Sequence, residues 1–125
     1  MTDRDLKHLH PDMLPLVEMW LRECFKEGLH VIVTETFREP AREDALHAAG
    51  ITNATSKTCL HCFMIDGIPA SKALDFLCLD TLGNVIHNGE AIEYSKAGQI
   101  AKNLGLYWGG DFTHPDYDHI EIRKG

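Results

Sequence analysis

No stretch of this chain approaches the ~18 consecutive apolar residues that a membrane span needs. Residues 1–10 hold no apolar core of the kind an export signal carries. The expectation is a protein made in the cytoplasm, with no export signal of its own and no stable membrane association. Positive charge is scarce too: 12 Lys and Arg stand against 19 Asp and Glu, a net charge of −7. Nucleic acid and anionic lipid both need clustered cations to displace counterions, so neither is an expected partner. Repeats, linkers and low-complexity segments are missing, which leaves residues 1–125 as a single domain. Cysteine is sparse, at 24, 59, 62 and 78. In a reducing compartment free thiols are the expectation rather than disulfides.

What is present is an ordinary globular composition, 44% hydrophobic and 25% charged, in a chain of 125 residues. A chain of that length buries roughly 65% of its unfolded surface without help from a metal or disulfide, so a cofactor would serve chemistry more than folding. Over residues 11–28, Leu14, Val17, Leu21 and Phe25, with Met13, Trp20 and Cys24 beside them, recur at three and four and predict a helix stopped by Gly28. Residues 30–37 are rich in β-branched types and predict a strand with Arg38 just past its end. Glu39-Pro40 opens a second helix through about Ala49.

Residues 51–58 read as a loop, and Asp66-Gly67 as a hairpin turn. Residues 73–80 read as a mostly buried strand with Asp75 near its start, and 85–87 as a short strand. A third helix is expected from about Gly89 to Leu104, with Ile92, Ile100, Ala101 and Leu104 as its apolar side. Residues 106–108 and 119–123 are the closing strands. Helices and mostly antiparallel strands mix in one α+β domain, with about three helices on a small sheet.

The chemistry concentrates where Trp108-Gly109-Gly110 leads past Asp111 and through two carboxylates, Asp116 and Asp118, into His119 at the head of an alternating strand. A catalytic zinc site uses three protein ligands and leaves a fourth position open. His61, Asp75 and His119 are the candidate set, since each lies at or near a strand edge. The plainer reading is that such histidines are surface or hydrogen-bonded residues and that a His-Asp pair is structural. Glu121 shares the His119 face of its strand and is a candidate base.

Several blocks, in order, carry a resemblance. They are Thr34-Glu35-Thr36-Phe37-Arg38, then residues 42–50, His61, Ala73-Leu74-Asp75-Phe76, Gly105-Leu106-Tyr107-Trp108-Gly109-Gly110-Asp111-Phe112 and Asp116-Tyr117-Asp118-His119-Ile120-Glu121. Over about residues 29–123 the chain resembles the zinc peptidases of peptidoglycan, which join D-alanyl-D-alanine carboxypeptidases to the L-alanyl-D-glutamate endopeptidases of phage endolysins. The resemblance implies a hedgehog/D-Ala-D-Ala-peptidase-like fold and one Zn²⁺ per chain on His61, Asp75 and His119. It implies Asp116 as general base in preference to Glu121, and Arg38 beside the pocket, holding a peptide carboxylate or the oxyanion.

The implied activity is hydrolysis of a stem-peptide bond of peptidoglycan, expected to be the L-alanyl-D-glutamate bond. The enzyme would be a monomeric phage or prophage endolysin without a separate wall-binding domain. It would be made in the host cytoplasm and reach the wall through a pore made by another protein. A D-alanyl-D-alanine carboxypeptidase is the alternative within the family, and a non-catalytic zinc-containing peptide- or wall-binding module is the alternative outside it.

Two departures mark this chain. Cys59 stands where the family usually has serine, and 14 residues separate His61 from Asp75 where about seven are usual, which reads as a hairpin inserted over 62–72 beside the site. Asp118 takes a place where proline is common. Trp108 is expected in the pocket wall, although packing alone would also explain it. Cys59-Leu60-His61-Cys62 is a Cys-x-x-Cys pair with two further readings, a closed structural zinc site or a redox couple. No second such pair lies downstream to complete a zinc site.

Overall fold

The computed structural model describes residues 2–52 and 54–124, so Asn53, within the loop expected over 51–58, lies outside the described residues. Helix α1 is Leu14–Lys26, with a proline in its first turn, where the missing N–H has no intrahelical partner to lose. Its buried stripe is Met13, Val17, Trp20 and Cys24. That spacing keeps one side of a helix on the sheet. Phe25, expected on this face, is 79% exposed, because it stands about 100° round the helix from Cys24.

Strand β1 is His30–Glu35, helix α2 Pro40–Ala48, and strands β2 and β3, Met64–Ile65 and Ile68–Pro69, form the expected hairpin. Asp66 and Gly67 both take positive φ, 52° and 76°, as a tight hairpin turn requires. Strand β4 is Ala73–Leu79, helix α3 Ile92–Asn103, and strands β5 and β6 are Tyr107–Trp108 and His119–Glu121. Short 3-10 turns occupy Leu6–His8, Leu60–Cys62 and Gly109–Asp111.

The main sheet runs β1-β4-β6-β5, antiparallel throughout. Along β4 the side chains of Leu74, Phe76 and Cys78 go to the core under α1 and α3, so the alternation of a strand sends Asp75 to the opposite face. Trp20 meets Phe76 edge-on at 4.9 Å and donates its indole N–H to the Ala97 carbonyl at 2.9 Å. The core therefore ties α1, α3 and β4 together and leaves the other face of the sheet for the site.

Two expectations are corrected here. Residues 85–87 form no strand; Val85 makes one isolated bridge to Leu79, and the Ile86 carbonyl is taken up by the Tyr94 hydroxyl at 2.8 Å. Helix α3 buries Tyr94, Ala97, Gly98 and Ala101, while Ile92 is 62% exposed. Small residues are needed on that face because Trp108 lies so close to Gly98 that any Cβ there would collide with the indole ring. A hydropathy pattern looks for large apolar residues and misses a face selected for smallness. Among the described residues no helix is long and apolar enough to cross a membrane.

Candidate metal centre

Asp75 and His119 are directly opposite one another in the β4–β6 ladder, and opposite residues of an antiparallel pair share a face. Asp75 Oδ1 lies 3.2 Å from His119 Nδ1. His61 arrives from the Leu60–Cys62 turn, which is anchored at both ends. The Arg38 N–H donates to the His61 carbonyl at 3.0 Å, and the Lys72 N–H donates to the Leu60 carbonyl at 3.0 Å. This turn brings His61 Nε2 to 3.3 Å from the same Asp75 oxygen.

These distances can be set against the geometry of a metal. Ligands about 2.0–2.1 Å from a tetrahedral zinc are about 3.3 Å apart along each edge. The two measured separations match that edge, and one ligand atom from each of the three residues lies within 4.8 Å of the others. The remaining ring nitrogens fix the direction of the lone pairs. His61 Nδ1 stands 2.7 Å from the Thr36 carbonyl and must donate to it, so its Nε2 is the bare nitrogen. His119 Nε2 stands 2.8 Å from Glu121 Oε1, which turns Nδ1 toward Asp75. The donor set fits a small tetrahedral divalent ion.

Electrostatics point the same way. Burial opposes charge on His119, but hydrogen bonds to Asp75 and Glu121 outweigh it and push its pKa up to about 10. Burial likewise opposes ionisation of Asp75, yet hydrogen bonds from His119 and His61 hold its carboxyl well below the usual range. The pocket draws positive charge.

The carboxylates around this set are not equivalent. Glu121 is 7% exposed, with Oε1 on His119 and Oε2 accepting from Arg123 Nε at 3.0 Å. Asp116 reaches 3.8 Å from His119 Nδ1 with 52% of its side chain exposed, and it lines an 810 Å³ cleft with the three candidate ligands. Its backbone is held by a bond from its N–H to the Gly109 carbonyl at 2.9 Å. A Cβ at Gly109 would strike the Asp116 carbonyl oxygen, which is why that position of the turn needs glycine. Asp118 is half-buried; burial, then its hydrogen bond to Asp116 and the charge of that group, push it up to about 7. Asp111 pairs with Lys102 at 2.8 Å on the surface.

Arg38 lines the cleft but is buried, and its guanidinium is engaged by three carboxylates: Glu35 at 2.5 Å, Glu43 at 2.6 Å and Asp75 at 3.3 Å. Glu35 also takes Arg42, and Glu43, fully buried, accepts from the Thr52 hydroxyl at 2.6 Å. Glu35 and Glu43 were not singled out from the sequence. Glu35 lies past a register shift in the β1–β4 ladder, where simple alternation stops indicating which way a side chain faces.

Trp108 does not line the cleft. Its ring packs over Gly98 and Gly110 and its N–H holds the Tyr117 carbonyl at 2.8 Å, so its role is to fix the loop that carries Asp116. Phe112 takes the wall position instead, 5.7 Å from the His119 ring. No residue of the 63–69 hairpin lines the cleft; Phe63 packs against His10 and under Lys72.

The four cysteines are free thiols. Cys59 and Cys62 sit with Glu43 rather than with the histidines. Burial, followed for Cys59 by its hydrogen bond to Glu43, raises both thiols, which works against a closed thiolate metal site.

Residues 69–122 match the sequence signature of the family described as D-alanyl-D-alanine carboxypeptidase. The chain is also similar to the peptidoglycan L-alanyl-D-glutamate endopeptidase CwlK of Bacillus subtilis (strain 168), 27% identical over 130 aligned positions that cover 91% of this chain and 73% of that protein. Its fold matches the crystal structure of the Serratia marcescens L-Ala D-Glu endopeptidase ChiX with a TM-score of 0.75 at 21% identity, over 98% of this chain and 89% of that one. The family signature spans Asp75, Asp116 and His119 but starts after His61, so His61 joins the set through geometry.

Proposed function

We propose that this chain is a member of the peptidase family of the D-alanyl-D-alanine carboxypeptidases, whose signature residues 69–122 match, and that it hydrolyses the L-alanyl-D-glutamate bond in the stem peptide of peptidoglycan with one Zn²⁺ on His61, Asp75 and His119. The observation that carries this reading is the convergence of those donors at tetrahedral spacing, with Asp116 on the open side. The choice of bond follows CwlK, an L-alanyl-D-glutamate endopeptidase. A zinc ion held there supplies Lewis acidity, polarising the scissile carbonyl and acidifying a water to a pKa of about 7.

The chain's own groups do the rest. Asp116 takes a proton from the attacking water and delivers it to the leaving amine. Its exposure to the cleft supports this role, as does the loop anchoring that holds it near His119. Glu121 and the Thr36 carbonyl keep the two imidazoles in the tautomers that point lone pairs inward. Arg38, fixed by Glu35 and Glu43, holds Asp75 where it lines the cleft, and its remaining N–H is the group left for a substrate carboxylate or the developing oxyanion.

The test is purified peptidoglycan with mass spectrometry of the released fragments. Cleavage between L-alanine and D-glutamate, lost on chelation and regained with zinc, is the expected result. Release of terminal D-alanine would move the assignment to a carboxypeptidase, and full activity after complete metal removal would overturn it. Peptidoglycan lies outside the cytoplasmic membrane, so the chain has to pass that barrier. The route we infer is release through a pore made by another protein of a phage. Lysis of an expressing cell only when a pore-former is co-expressed is the expected outcome.

A further inference from the structure

Cys59 and Cys62 bracket His61 on the Leu60–Cys62 turn, and the function proposed above uses neither thiol. The Cys62 N–H donates to the Cys59 carbonyl at 3.1 Å, the bond that closes a four-residue turn and keeps its end Cα atoms within about 7 Å. Disulfides span Cα separations of about 4.4–6.8 Å. The two Sγ atoms lie within 4.8 Å of each other, so closure asks for side-chain rotation more than backbone movement. Cys59 is half-buried and lines the cleft, whereas Cys62 is 5% exposed, so a reagent meets Cys59 first. The other two thiols, Cys24 and Cys78, are each 1% exposed in the core.

Metal is the rival occupant of this cluster. Both oxygens of Glu43 are already engaged, Oε2 by Arg38 and Oε1 by Thr52, each at 2.6 Å. A cation there would face a guanidinium across one carboxylate. Pairing the two sulfurs needs neither Glu43 nor a second charge.

We propose that Cys59 and Cys62 form a dithiol site that closes reversibly to an intrachain disulfide and staples the turn carrying His61. The Cys59 thiol, protonated at rest, gives up its proton as its sulfur attacks a small disulfide such as glutathione disulfide, forming a mixed disulfide and releasing one glutathione. The Cys62 thiol likewise gives up its proton as its sulfur attacks the Cys59 sulfur and releases the second. The protein thiols give up two electrons and two protons, and one glutathione disulfide becomes two glutathiones. A chain acting on the wall works where disulfides persist; that setting and the part of His61 as a metal ligand rest on the peptidase reading, while the pairing of the two sulfurs does not. With the residues on both sides of His61 tied together, this ligand has less room to swing away when an ion leaves.

Thiol counting under denaturing conditions and intact mass, before and after excess glutathione disulfide, test the proposal on the purified protein. The four thiols should fall to two with a mass loss of about 2 Da, and a reductant should restore them. Cys59→Ser and Cys62→Ser should each fail to lose a thiol pair, while Cys24→Ser should still lose one. Oxidation should raise Tm by about 5 °C and slow zinc transfer to a chromogenic chelator several-fold. Four persisting thiols, or a stable glutathione adduct on Cys59 beside a free Cys62, would overturn the pairing. Equal rates of zinc loss in the two forms would overturn the staple. None of these readouts uses peptidoglycan hydrolysis, so failure here is distinguishable from failure of the proposed activity.

Discussion

Strand β6 and the loop before it each bring a carboxylate to His119, and they hold it by different means. β6 pairs with β4 on one edge and β5 on the other. Ladder bonds fix its backbone, and Glu121 is buried with both carboxylate oxygens engaged. The loop from the Gly109–Asp111 turn to Asp118 has no ladder. It is held by the indole N–H of Trp108 and the close approach at Gly109, and it leaves the Asp116 side chain half exposed. A carboxylate with both oxygens occupied can orient a histidine but is poorly placed to carry protons, whereas an accessible one can shuttle them. Rigidity and availability are thus divided between two neighbours of one imidazole.

The sharpest way to break this comparison is Asp116→Asn. Zinc content should be unchanged while kcat falls by about 10²–10⁴-fold, the usual contribution of a positioned proton carrier; zinc analysis and stem-peptide hydrolysis read the two quantities separately. An active Asp116→Asn together with a dead, zinc-replete Glu121→Gln would reverse the roles. Next in size is Glu121→Gln itself. The amide oxygen still accepts from His119 but without charge, so zinc affinity should weaken about 10–100-fold, and excess zinc should restore most of the turnover.

A smaller effect is expected from Trp108→Phe, which removes the bond to the Tyr117 carbonyl and leaves space beside Gly98 and Gly110. Stability should drop by about 1–3 kcal/mol in denaturant titration, and kcat should fall more than zinc affinity, because the loop is disturbed and the strand is not.

The smallest effect is on pH dependence. In zinc-free protein the folded state binds the His119 proton more tightly than the unfolded chain, about 10 against 6.5. That contribution is full below about pH 6.5 and is lost as pH rises through about 10. Asp75 runs the other way: held below its ordinary 3.8, it contributes above that value and loses the contribution as pH falls. Thermal melts of zinc-free protein should be highest at about pH 5–6.5 and decline by a few degrees toward pH 9. A flat profile would show that the strand carboxylates do not hold charge on His119.

The helices and most of the strands were legible because their signals are local. Gly28, Pro40 and the Asp66-Gly67 turn act through their own backbone preferences, and β4 alternates visibly once Asp75 interrupts its apolar run. The site was legible in part for a related reason: imidazoles and carboxylates carry chemistry wherever they sit, although His61, expected at a strand edge, sits on the Leu60–Cys62 turn while Asp75 and His119 lie on strands. What stayed hidden depended on contact across the fold. Nothing in residues 85–87 says that Tyr94 will claim the Ile86 carbonyl, and the buried face of α3 is set by the bulk of Trp20 and Trp108 against it. The role of Trp108 as a loop anchor follows from a bond to a carbonyl nine residues on.

The sequence by itself determined which groups were available: two histidines and an aspartate able to ligate, carboxylates close to His119, an Asp-Gly turn and glycines where side chains would not fit. These follow from residue chemistry and short-range sterics, which need no partner. Only the tertiary structure decided which nitrogen of each ring faces inward, which carboxylate is buried and which is exposed, and that the 63–69 hairpin does not line the cleft. Those outcomes depend on hydrogen bonds between segments such as Thr36 and His61, 25 residues apart, and such pairings exist only once the chain has closed on itself.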